Sequence, residues 1–133
     1  MYSSVCHNLE LVLQAEIPQI YSAFRMSGYP PSQICQHWLR QCFWNYLDWG
    51  DICCYLCCCL LMGIDYQIYF CMAVLKHLQR DIFLHTQQKN LSVFLRERPV
   101  KDFKLGRYID FMLDLQRKYR SVVLPDLQDI TKP

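Results

Sequence analysis

Glycine is scarce in this chain: Gly28, Gly50, Gly63 and Gly106 are the four in 133 residues, and each stands alone. A phosphate-cradling loop needs clustered glycines so that the backbone can approach the ligand, so nucleotide binding of that kind is excluded. Histidine is equally sparse. His7, His37, His77 and His85 never fall four apart, which excludes a zinc-protease pair on one helix face. No stretch alternates apolar and polar residues, so no strand is expected. The net charge is only +2, too little to make nucleic acid the main partner. Met1-Tyr2-Ser3-Ser4 has no basic start and no apolar run behind it, so a secretory leader is not expected. The longest uncharged apolar run lies between Asp51 and Asp65 and has 13 residues, whereas a membrane-spanning helix needs about 20. Extending that run would bury Asp65 and Gln67, so no transmembrane segment is expected. Serine and cysteine nucleophiles lack a strained elbow or a partner base, so there is no positive case for an enzyme.

Apolar residues and cysteine are plentiful instead. Hydrophobic residues make up 53% of the chain and charged residues 20%, which excludes disorder for most of it. One domain of this size buries roughly two-thirds of its unfolded surface. So apolar a sequence is also expected to leave some apolar surface for a partner.

Nine cysteines are an odd number, and five of them fall within Cys53–Cys59. Neighbours that close cannot build a spaced disulfide framework, so free thiols in a reducing, cytosolic or nuclear compartment are expected. The Cys54-x-x-Cys57 spacing could grip zinc. However, there is no second such pair, no histidine within fifteen residues and no nearby Lys or Arg to favour thiolate. The favoured reading is cysteine as a small buried hydrophobe. S-acylation ranks behind it, because no amphipathic membrane face adjoins the cluster. No metal and no cofactor is expected.

The periodicity is helical throughout. Val5, Leu9, Val12 and Leu13 space as one helix closing at Glu16. Pro18 starts a second, which ends at Gly28. A third is predicted over Pro31–Tyr46, with Cys35, Trp38, Leu39, Cys42, Phe43 and Tyr46 on one stripe. Asp51 is expected to cap a fourth helix, Ile52–Met62, which is apolar on every side and so is expected to be buried all round. A fifth is predicted over Asp65–Leu84, a short one over Leu91–Leu95 that stops before Pro99, and a last over Leu105–Tyr119. The expected division is a helical domain over 1–120 and a polar tail over 121–133.

Two surface features are candidates for contact. Trp44 and Trp49 are candidate partner anchors, because aromatic residues dominate interface energetics. Core packing is their equal competitor. Residues 96–120 hold eight Lys/Arg against four Asp/Glu. Arg96, Arg98, Lys101, Lys104 and Arg107 lead this stretch. A solvated face is the favoured reading, and an acidic protein or lipid surface is a better match than a DNA groove.

From His7 to about Leu84 the sequence resembles the C-terminal half of a TBC domain, the all-helical Rab GTPase-activating fold. The residues that carry the resemblance are a helix pair over Leu9–Phe24 and the aromatic stretch His37-Trp38-Leu39-Arg40-Gln41-Cys42-Phe43. An acidic turn and two helices follow over Leu47–Leu84. The wording His37-Trp38-Leu39-Arg40 to Trp49, Asp65-Tyr66-Gln67-Ile68-Tyr69 and Lys76-His77-Leu78-Gln79-Arg80-Asp81 is nearest a member tied to primary cilia, Hedgehog signalling and a cell-cycle-related kinase. The resemblance implies an all-α bundle like the C-terminal TBC subdomain. It also implies a Rab-type GTPase or a kinase-associated ciliary complex as partner, and a cytoplasmic or ciliary location.

Active members supply an arginine from an Ile-Pro-x-Asp-x-x-Arg motif and a glutamine from a Tyr-x-Gln-Gly motif, which serve phosphoryl transfer. Here Ile17-Pro18 continues as Gln19-Ile20-Tyr21, Arg25 lies too far along, and Tyr66-Gln67 lacks the glycine. The expectation is a half-domain without its active site, a short isoform or a fragment, that self-associates or docks on a partner. Two alternatives stay open: a GTPase activator completed by a missing N-terminal half, and a small metal-binding protein built on the cysteines.

Overall fold

The computed structural model describes residues 2–129. Among them there are eight α-helices and no strand. In order these are α1 Tyr2–Glu16, α2 Pro18–Ser27, α3 Pro31–Arg40, α4 Trp49–Leu61, α5 Tyr66–His77, α6 Gln79–Gln87, α7 Leu91–Glu97 and α8 Ile109–Gln128. A single 3-10 turn, Leu105–Arg107, precedes α8.

Proline and glycine set the clearest boundaries. Pro18 opens α2, where its missing N–H costs nothing. Gly28 closes α2 in the left-handed region at φ 73°, and its N–H bonds Arg25 O at 3.2 Å. Pro31 opens α3 in the same way.

α3 does not reach Tyr46 as its pattern predicts. It stops at Arg40, and Cys42, Phe43 and Asn45 then take φ of 49°, 61° and 73°. Left-handed residues cannot continue a right-handed helix. The loop still delivers Phe43 and Tyr46 to the core, while Cys42 is exposed.

α5 is the centre of the molecule. Every residue from Ile68 to Leu75 is buried, and α1, α4, α6 and α8 all pack on it. The helix buried all round is therefore α5 and not α4. α4 is packed on one side only, through Ile52 and Tyr55, with Cys58 and Cys59 half-buried. It also begins at Trp49 rather than Ile52, after Asp48. Asp51 then sits in the first turn, where a carboxylate suits the positive end of the helix. Phe70 of α5 is the hub of the aromatic core. Its ring lies 5.0 Å from Phe43, 4.8 Å from Tyr55 and 5.7 Å from Phe103.

The predicted fifth helix breaks at Leu78, where ψ of 7° turns the chain into α6. The predicted last helix gives way to the 3-10 turn and α8, which runs nine residues past Tyr119 to Gln128 and contains Pro125. Leu115 and Val123 are its buried anchors, and Ile109 at its start is exposed. Residues 121–128 are thus helix rather than tail, and 130–133 lie outside the described residues. α8 lies antiparallel to α1. Asn8 donates to Asp126 at 2.7 Å, and Glu16 accepts from Lys118 at 3.2 Å and Tyr119 at 2.8 Å.

One charged knot locks α4, α5 and α8. Asp65 precedes α5 and is fully buried. Arg120 of α8 meets it with two nitrogens, each 3.0 Å from a carboxylate oxygen, and also donates to Met62 O. Gly63 lies under this pair at φ 138°. A Cβ there would stand 2.6 Å from Asp65 Oδ1 and 2.8 Å from Arg120 Nη2. Gly63→Ala is expected to cost about 2 kcal/mol, from left-handed strain and displacement of the ion pair. Urea unfolding measures it, and an unchanged midpoint would refute the close approach.

Candidate functional site

The face of α4 turned away from the core is the most unusual surface of the protein. Gly50, Cys54, Cys57 and Leu61 follow the i, i+4, i+7, i+11 spacing of one helical stripe, and all four are exposed. Trp49, Leu56 and Leu60 are exposed beside them, with Cys53 half-exposed. Leu60 and Leu61 are each 84% accessible. Asp51 is the one charge in α4, and its Oδ1 faces the Leu105 N–H at 3.4 Å. The helix is apolar on both sides, and only one side is covered.

The cysteines follow that division. Cys54 and Cys57 are exposed, and Cys53, Cys58 and Cys59 are half-buried, so the cluster is not the buried hydrophobe the sequence favours. Burial raises the Cys58 thiol and pushes Cys59 up to about 12, which keeps both protonated. Burial likewise raises Cys6 to about 11. Among the described residues, no three His, Cys, Asp or Glu side chains converge to hold a metal ion.

Trp44 and Trp49 stand at the N-terminal end of this face, 57% and 65% exposed. Their rings meet edge to face, with centroids 6.2 Å apart. Core packing, the competing expectation, is overturned for both. The left-handed turn at Asn45 follows Trp44, and the start of α4 three residues earlier than predicted brings Trp49 onto the helix.

The basic candidates Arg96, Arg98 and Lys101 are all exposed, as are Lys104 and Arg107. Tyr46 ties their segment to the tryptophan loop: its carbonyl accepts the Val100 N–H at 2.9 Å and its hydroxyl donates to Arg96 O at 2.5 Å. Arg98 lies over the Phe94 ring at 5.9 Å. Lys101 borders a cleft of about 390 Å³, but Asp48, Asp51 and Asp102 line it too. The basic stretch is therefore not one continuous patch.

His77 and His85 have structural partners. His77 Nε2 donates to Lys101 O at 2.6 Å, which leaves Nδ1 to accept from Tyr108 at 3.0 Å. His85 bonds Asn90 at 2.9 Å and stacks on Phe94. Sequence reasoning missed the Asp65–Arg120 pair, which is 55 residues apart and carries no local signal. It also missed the exposed Leu60 and Leu61, because a wholly apolar helix does not say which side is covered.

A family profile described as the Broad-minded protein Rab TBC domain matches residues 1–130. This chain belongs to the Broad-minded Rab TBC domain family. The protein called broad-minded in Danio rerio is 53% identical over 130 residues, and that of Mus musculus 51%. Each alignment covers 98% of this chain and 10% of the relative, so the chain spans about a tenth of the length of these relatives. No solved structure matches. The Broad-minded assignment agrees with the TBC resemblance read from Trp38, Asp65–Tyr69 and Lys76–Asp81, and the helical fold agrees with both. Among the described residues, no helix is long and apolar enough to cross a membrane.

Proposed function

We propose that this chain is a non-catalytic TBC-like docking module that meets a protein partner through Trp44, Trp49 and the exposed α4 face, with Arg96, Arg98 and Lys101 at its edge. The observation that carries the reading is the exposed tryptophan pair at the head of an uncovered apolar helix. A monomer rarely leaves a contiguous apolar face of this kind in water, and tryptophan is among the residues most enriched at interface hot spots. Self-association through the same face is the outcome when no partner covers it.

The family description, a Rab TBC domain, favours a small Rab-type GTPase as the partner. The ciliary and Hedgehog setting, the kinase-associated complex and the cytoplasmic or ciliary location rest on the resemblance read from the sequence. The non-catalytic reading rests on the mismatch at Ile17-Pro18 and Tyr66-Gln67. Activation completed by a further segment is the second reading, favoured by the same family description.

The test is calorimetric titration of the chain with purified Rab-type GTPases, run beside GTP hydrolysis assays. Trp44→Ala with Trp49→Ala is expected to weaken binding by about 2 kcal/mol, roughly thirtyfold, with helicity unchanged. Hydrolysis is expected to stay at its intrinsic rate. Stimulated hydrolysis would overturn the non-catalytic reading, and undiminished binding by the double variant would remove the tryptophans from the site.

A further inference from the structure

Away from the α4 face, a second cleft lies between α3 and α7. It measures about 250 Å³ and is lined by Tyr29, Gln33, Gln36, His37, Arg40 and Arg96. No carboxylate lines it. Two arginines from different helices therefore border one concavity with no acidic wall. Among the described residues, neither arginine takes part in an ion pair. Uncompensated arginines in a shared concavity are a common way of receiving an anion, because each offers a rigid fork of donors.

The supporting framework is fixed. Tyr46 is buried, and its hydroxyl donates to Arg96 O at 2.5 Å. That hydroxyl must then accept from His37 Nε2, 2.8 Å away. The backbone of Arg96 and the ring of His37 are thus held to one buried phenol. Three donor-bearing neutral side chains, Tyr29, Gln33 and Gln36, complete the lining.

We propose that this cleft binds a phosphate monoester carried on a phosphorylated protein segment. The charge matches: such a group carries about −1.5 to −2 at neutral pH, against two arginines. It also offers three strong acceptor oxygens, and the lining is rich in donors. A bilayer surface is recognised by a broad basic patch, whereas this is a concavity sized for a side chain. The cleft shares only Arg96 with the proposed docking face, and its ligand is a small group rather than a folded partner. The inference therefore stands or falls independently of the reading above.

The test uses the whole chain with a capped Gly–phosphoserine–Gly peptide, its unphosphorylated counterpart, inorganic phosphate, and phosphatidylcholine vesicles containing phosphatidylserine. The Nε–Hε resonances of arginine report occupancy by NMR. The phosphopeptide is expected to shift the Arg40 and Arg96 signals together, with the serine peptide silent and inorganic phosphate weaker. Arg40→Gln and Arg96→Gln are each expected to weaken the phosphopeptide about tenfold, while Arg107→Gln leaves it unchanged. Both arginines are exposed, so the variants are expected to fold, and circular dichroism checks this. Equal response to the serine peptide, equal loss in Arg107→Gln, or binding to vesicles alone would each overturn the proposal.

Discussion

Arg120→Ala is expected to destabilise the protein by about 3 kcal/mol or more. Removing one partner of a buried ion pair leaves the other charge without compensation, and such losses run to roughly 3–5 kcal/mol. Asp65 is the partner that suffers, because its side chain is wholly buried while that of Arg120 is 31% exposed. The loss also strips Met62 O of its donor at the end of α4. The converse change, Asp65→Ala, is expected to cost less, about 2 kcal/mol, because the freed guanidinium can turn to water. The double variant is the decisive comparison. With both charges gone there is no buried orphan, so it is expected to be no less stable than Arg120→Ala alone. Urea unfolding of the three variants at one pH measures this. Simple additivity of the two single effects would show that the pair is not coupled. Whole domains are stable by only about 5–15 kcal/mol, so the Arg120 variant stands to lose much of its reserve.

Phe70→Ala is expected to cost about 4 kcal/mol, in the range for deleting a fully buried aromatic ring. Four segments depend on this ring: the loop after α3 through Phe43, α4 through Tyr55, α5 itself, and the stretch before α8 through Phe103. The cavity cannot collapse without moving all of them. α4 is expected to loosen first, because its other face has no protein against it. Phe70→Leu, which keeps much of the volume, is expected to cost about 1.5 kcal/mol. Denaturant unfolding gives the energies, and near-ultraviolet circular dichroism reports the loss of fixed aromatic packing. A cost for the alanine variant below that expected for leucine would show that the ring is not the hub.

What the sequence disclosed, and what it hid, follows from the range of each signal. The ends of α2 and the stop of α7 were legible, because proline and a left-handed glycine act on their own neighbours. The stripe of Trp38, Phe43 and Tyr46 was legible as core but misleading as helix. Apolar spacing reports which side chains face inward, and a left-handed loop at Cys42–Asn45 satisfies it as well as a helix does. The exchange of roles between α4 and α5 was hidden for a different reason. Both are apolar, and the choice between them depends on α1 and α8, which arrive from the two ends of the chain. Cysteine added to the confusion, since its usual burial does not bind Cys54 or Cys57. The length of α8 was hidden by Pro125, which the contact between Asn8 and Asp126 and the burial of Val123 outweigh. Of the candidate surfaces, the tryptophans and Arg96 could be named from the sequence, whereas the cleft that Arg96 shares with Arg40 exists only in three dimensions.

The antiparallel seating of α8 on α1 decides how the domain answers to force. Tyr2 and Gln128 lie at the same end of the helix pair, beside the Asn8–Asp126 contact. Tension applied across these two points loads that contact first and the Glu16 contacts with Lys118 and Tyr119 last. The pair therefore peels apart one contact at a time and never shears as a whole. A helical domain pulled in this direction opens from one end of the α1–α8 seam, and the opening bares the flank of α5 that these two helices cover.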